Sequence, residues 1–123
     1  MTATAGKRVL VVEDEMMIRM LLEDMLGDLG HTVAGQAGGL DEAIRLAREA
    51  DFDIAVLDVN LNDQPIAPVV EILIARGRPF VFASGYGQDA VPEPYRTMPI
   101  LQKPFQAAAL AAAIDTALAK AAG

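Results

Sequence analysis

The chain has 123 residues, 53% of them apolar and 22% charged, which fits one globular domain and argues against disorder. Ten basic against 17 acidic residues give a net charge of −7, which disfavours a nucleic-acid surface or an anionic membrane as partner. No apolar run is long enough to span a bilayer, the first residues lack a secretory h-region, and without cysteine there is no disulfide or thiolate chemistry, so a cytoplasmic protein is expected.

Short apolar runs alternate with helix-like segments. Residues 8–12 form a buried-strand pattern, and residues 16–29 a helix with Ile18, Leu21, Leu22, Met25 and Leu29 on one face, stopped by Gly30. A weaker strand at 32–36 precedes a helix at 40–49 that opens with Asp41 and Glu42. The third strand, 54–57, ends in Asp58. A turn-rich loop at 60–65 leads to a helix from Pro68 to Arg76, where proline suits the first turn. The fourth strand is 79–83. Residues 84–97 carry Gly85, Gly87, Pro92 and Pro94, so any helix there should be short or broken. The fifth strand is 98–101, and 106–122 form a helix with Leu110, Ile114 and Leu118 inward. This alternation predicts an α/β fold with a parallel sheet covered on both faces. For five strands the flavodoxin-like order 2-1-3-4-5 is expected, with a site where strands 1 and 3 separate at their carboxyl ends. No repeat or linker is visible, so residues 1–123 read as a single domain with a flexible tail at 1–6.

The stretch "VVEDE" (11–15) sets three acids directly after the first strand, although two carboxylates about 4 Å apart repel by roughly 4 kcal/mol at an effective dielectric of 20. The predicted topology explains why this is tolerable. Glu13, Asp14, Asp58, Ser84 and Lys103 all fall at carboxyl ends of strands and would ring one crevice. The acids need a hard cation, and Mg²⁺ suits one or two carboxylates plus waters and a phosphate oxygen. An aspartate can attack a phosphoryl group, with a hydroxyl, a lysine and the cation sharing the charge. Without a histidine base, the set makes a poor hydrolase triad.

At these residues the chain resembles the receiver domains of two-component response regulators. The motifs are "VVEDE", "VLDVNL" (56–61), "FASGYG" (82–87) and "LQKPF" (101–105), each at a predicted strand end. The last two are similar to the FATGUY subfamily of single-domain receivers, with serine at position 84. The resemblance implies that Asp58 is the phosphoacceptor and that Glu13, Asp14, Asp58 and the backbone carbonyl of Asn60 hold Mg²⁺. It also implies that Ser84 and Lys103 contact the phosphoryl group, that the Lys103–Pro104 bond is cis, and that Asn60 and Tyr86 flank the water that ends the signal. Most receivers carry a switching aromatic three residues before the lysine; here that residue is Ile100.

The implied function is that of a stand-alone receiver, a signalling phosphoacceptor rather than an enzyme. It would take its phosphoryl group from a histidine kinase or phosphotransfer protein and present an altered surface to a downstream protein, with no output domain of its own. Alternatives are a phosphate sink, a phosphorylation-independent pseudo-receiver, or an aspartyl-phosphate phosphatase, although the second aspartate of such phosphatases is replaced by Asn60. Some residues have simpler readings: Glu15 as a helix N-terminal acid, His31 as exposed and structural, Gly38 and Gly39 as a turn. Two readings stand open for Met16, Met17 and Met20: gap-filling at a core edge, or an apolar docking patch beside the phosphorylation site.

Overall fold

The structure, a computed structural model, describes residues 6–62, 64–85, 95 and 98–122. Its elements are β1 (Arg8–Val12), α1 (Met16–Asp28), β2 (Thr32–Ala37), α2 (Leu40–Glu49), β3 (Ile54–Asp58), β4 (Asn60–Leu61), β5 (Gln64–Pro65), α3 (Ala67–Arg76), β6 (Phe80–Ser84), β7 (Ile100–Gln102) and α4 (Ala107–Ala122). Five strands form one parallel sheet in the order β2-β1-β3-β6-β7, the topology expected from the sequence. The expectation of a broken helix within 84–97, and those for Tyr86 and the first five residues, fall outside the described residues.

Alternation along the buried strands sorts the core into two layers. Leu10, Val12, Ala55, Leu57, Phe80 and Phe82 face α2 and α3, while Val9, Val11, Ile54, Val56, Val81 and Leu101 face α1 and α4. Phe80 and Phe82 meet edge to face, their centroids 5.4 Å apart. Arg76 ties α3 to the end of α2, donating to the carbonyls of Ala47 and Ala50 while lying over the Phe52 ring. Gly30 and Gly77 follow α1 and α3 at φ of 87° and 69°, the left-handed conformation that ends a helix at low cost in glycine.

Local details depart from the sequence reading. Leu21 is exposed and Leu26 is buried, so the inward stripe of α1 is turned from the expected one. The last strand starts at Ile100 rather than residue 98, because Met98 closes a turn through its N–H to the carbonyl of Tyr95. The loop after β3 is not simply a turn: β4 and β5 pair antiparallel as a small hairpin, anchored by buried Leu61 and Ile66. His31, expected to be exposed, is only 8% accessible, and its Nδ1 accepts a hydrogen bond from the N–H of Lys7 at 3.2 Å.

Burial pushes the His31 pKa below 6.5, outweighing the attraction of Asp115, and Lys7 adds to the fall. The unfolded chain therefore takes up a proton near pH 6.5 that the folded chain refuses, so stability is lost as pH drops through that value. Other titrating groups are common to wild type and His31→Gln and cancel between them. In urea titrations, the stability of wild type relative to His31→Gln should decline between pH 7.5 and pH 5.5; a constant difference would contradict the depressed pKa.

Candidate functional site at the carboxyl ends of the strands

Strand register brings the polar residues together. Val12 lies opposite Leu57, Asp58 opposite Ala83, and Ser84 opposite Gln102, so Glu13, Asp58, Ser84 and Lys103 emerge at neighbouring strand ends. The ladder runs on past the strands: Glu13 N–H donates to the carbonyl of Ala37 at 3.0 Å, and Lys103 N–H to that of Ser84 at 2.8 Å. Asn60 opens the hairpin two residues after Asp58. The Lys103–Pro104 peptide bond is cis.

Glu13, Asp14 and Asp58 each offer a carboxylate oxygen, and these oxygens lie within 4.8 Å of one another. Glu13 is 1% exposed, and Asp58 and Ser84 are also buried. Lys103 enters the cluster from β7, its Nζ 2.6 Å from Glu13 Oε1 and 3.5 Å from Asp58 Oδ2. Burial raises the Glu13 pKa to about 7; the proximity of Asp14 and Asp58 adds to the rise, while hydrogen bonds from Lys103 and the Glu15 amide oppose it. Asp14 moves the other way: burial would raise its pKa, but hydrogen bonding with Glu13 and Asp58 and the N–H of Asn62 bring it down. For Lys103, burial works against the charge and is overcome by Glu13 and Asp58, so its pKa rises. Crowded, buried carboxylates of this kind disfavour bearing full charge together and favour keeping a proton. A set of hard oxygen donors under mutual repulsion suits Mg²⁺, whose charge can take the place of that proton.

Three residues that the sequence reading passed over or took as plain turn formers belong to this region. Arg19 donates from Nη1 to the carbonyl of Glu13 at 2.7 Å. Asn62 donates from its backbone to Asp14 Oδ2 at 3.2 Å and from Nδ2 to the carbonyl of Gly38 at 3.1 Å. Gly38 itself packs against the Arg19 guanidinium. The one sequence signal was Arg19 itself, the single charge within residues 16–22.

Lys103→Met removes the partner and leaves a buried carboxyl at Glu13, at an expected cost of about 1–3 kcal/mol at pH 8. Without Lys103 the Glu13 pKa rises further, and a group with a raised folded pKa loses stability as pH rises through it. The cost should therefore shrink toward pH 6. Denaturant unfolding at the two pH values measures this, and a cost that grew on acidification would contradict the pairing.

The chain matches the response regulator receiver domain over residues 9–115. It is 34% identical over 122 residues to the transcriptional regulatory protein PdtaR of Mycobacterium tuberculosis, covering 96% of this chain and 60% of PdtaR. Its structure is similar to that of SdrG from Sphingomonas melonis Fr1, with a TM-score of 0.83 and 41% identity over 94% of this chain and 98% of SdrG. The receiver (REC) domain of Erythrobacter litoralis PhyR gives a TM-score of 0.76 and 31% identity, over 95% of this chain and 93% of that domain. With the parallel sheet and the acids at its switch point, this places the molecule: the chain belongs to the receiver domains of two-component response regulators.

Proposed function

We propose that the chain accepts a phosphoryl group on Asp58 from a histidine kinase or phosphotransfer protein, requires Mg²⁺ to do so, and signals through altered binding to a protein partner. The observation that carries this reading is the nearly buried Asp58 carboxylate, with Lys103 Nζ 3.5 Å away and the Glu13 and Asp14 oxygens beside it. The likeness to SdrG over 94% of this chain supports the receiver reading.

In the proposed transfer, an Asp58 oxygen attacks phosphorus, a P–O bond forms, and the P–N bond of the donor phosphohistidine breaks with its electron pair going to the imidazole nitrogen. Glu13, Asp14, Asp58 and the backbone carbonyl of Asn60 would hold Mg²⁺, which would supply positive charge for the phosphoryl oxygens. Lys103 supplies a second positive charge, and the Ser84 hydroxyl a hydrogen bond from the neighbouring strand end. The chain's own chemistry ends with an acyl phosphate, which makes it a phosphoacceptor rather than a turnover enzyme. Intact-mass measurement with acetyl phosphate should show one added phosphoryl group on wild type with Mg²⁺, and none on Asp58→Asn or in excess chelator. Equal uptake by Asp58→Asn would remove the assignment.

The methionines of α1 support a place for the donor protein. Met16, Met17 and Met20 are 65%, 82% and 59% exposed, too open for gap-filling in the core. On the same helix, Ile18 and Leu21 line a cleft of about 300 Å³ together with Glu15, Lys103, Pro104 and Phe105, and Lys103 belongs to both this cleft and the acidic cluster. A donor that brings its phosphohistidine to Asp58 would cover this face, where methionine adapts readily to a partner's shape. Replacing Met16 and Met20 together by serine should slow transfer from a phosphorylated histidine donor about tenfold, on the scale of losing a buried methionine contact. Uptake from acetyl phosphate should be unchanged; equal slowing with both donors would place the effect in the site rather than in docking.

A further inference from the structure

Three loops converge over the acidic cluster, and the contacts between them come from residues with no part in phosphoryl chemistry. Arg19, in the first turns of α1, reaches back to the β1–α1 loop and donates from Nη1 to the carbonyl of Glu13 at 2.7 Å. The same guanidinium lies against Gly38 in the β2–α2 loop, so closely that a Cβ on Gly38 would stand 2.7 Å from Nη1. From the third loop, Asn62 at the hairpin tip takes a φ of 51°, which few side chains other than asparagine tolerate. In that conformation its N–H meets Asp14 Oδ2 and its Nδ2 meets the carbonyl of Gly38. Gly38 is therefore engaged twice, by Arg19 where a side chain would stand and by Asn62 at its carbonyl.

We propose that Arg19, Gly38 and Asn62 form a clamp that holds Glu13 and Asp14 in the geometry a divalent cation needs. They are positioning residues, and the proposal rests on the Mg²⁺ reading above. Left to themselves, the carboxylates would relieve their repulsion by moving apart, and Mg²⁺, which demands near-ideal octahedral geometry, would have to gather them again. The clamp opposes that relaxation at two points: Arg19 fixes the backbone at Glu13, and Asn62 fixes the side chain of Asp14 while bracing Gly38. Glycine at position 38 is required by the approach of the Arg19 guanidinium. An added methyl group would displace the flexible end of Arg19 and leave the backbone in place, so Gly38→Ala should fold yet lose the Glu13 contact.

Calorimetric titration with Mg²⁺ in the absence of any phosphodonor tests the clamp. Gly38→Ala and Arg19→Met should each weaken affinity about tenfold, as the loss of residues that orient metal ligands does. Because both remove one contact, the double variant should bind no more weakly than the weaker single variant. Asn62→Gly keeps the backbone conformation, loses the amide, and should also bind Mg²⁺ more weakly. Melting temperatures in chelator should stay within a few degrees of wild type, since the variants relieve repulsion as they lose hydrogen bonds. Wild-type affinity in Gly38→Ala and Asn62→Gly, or losses that multiply in the double variant, would overturn the clamp. Failure of wild type itself to bind Mg²⁺ would overturn the cation reading and the clamp with it, a result separable from tight binding that the variants leave untouched.

Discussion

The carboxylate of Glu13 is carried below the surface by the hydrogen-bond ladder that aligns the sheet, and it stays there with Lys103 Nζ 2.6 Å away. A slip of one residue between β1 and β3 would shift Asp58 by about 3.3 Å relative to Glu13 and turn its side chain to the opposite face. The register is fixed well away from the site, by apolar alternation that sends Val9 and Val11 to one core layer and Leu10 and Val12 to the other. The packing of strands that have no chemistry of their own therefore sets the spacing of groups that do.

That spacing works against stability. Three carboxylates within 4.8 Å repel, at an effective dielectric of 20, by about 3–4 kcal/mol per fully charged pair. The upward shift of the Glu13 pKa reflects this cost, and the approach of Lys103 offsets part of it. On the proposed function, a cation would replace this compensation, and the lysine would turn from a carboxylate to a phosphoryl oxygen. Strain of this kind, concentrated at a site on an otherwise well-packed sheet, is the usual exchange of stability for function.

The features that could be read from the sequence were those whose causes are local. The β-branched run before Glu13, the acid ending 54–57 and the glycine after α1 each declare themselves within a few residues, and the order of strand ends followed from topology. The rotated stripe of α1 was harder, because Leu21 and Leu26 both fit a helical face and only the position of the neighbouring sheet selects Leu26. His31 is buried through a contact with Lys7, 24 residues away in sequence. The contacts of Arg19, Gly38 and Asn62 are likewise non-local: Asn62 lies 48 residues from Asp14, and nothing near either residue marks the pairing.

Ile100 occupies the position where receivers usually keep a switching aromatic. It is partly buried, paired opposite Phe82 and packed against the core layer that faces α2 and α3. A branched aliphatic side chain in that setting has no ring to swing between a buried and an exposed position, and its rotamers are restricted by the strand. Besides the contacts of Lys103 and Arg19 with Glu13, hydrogen bonds run from Asp14 to Asn62 at the hairpin and on to Gly38, one residue before the N-cap of α2. The hairpin begins two residues after Asp58, with Leu61 and Ile66 buried. On the proposed reading, a shift at Asp58 would pass toward α2 through these loop contacts rather than through a rotating ring.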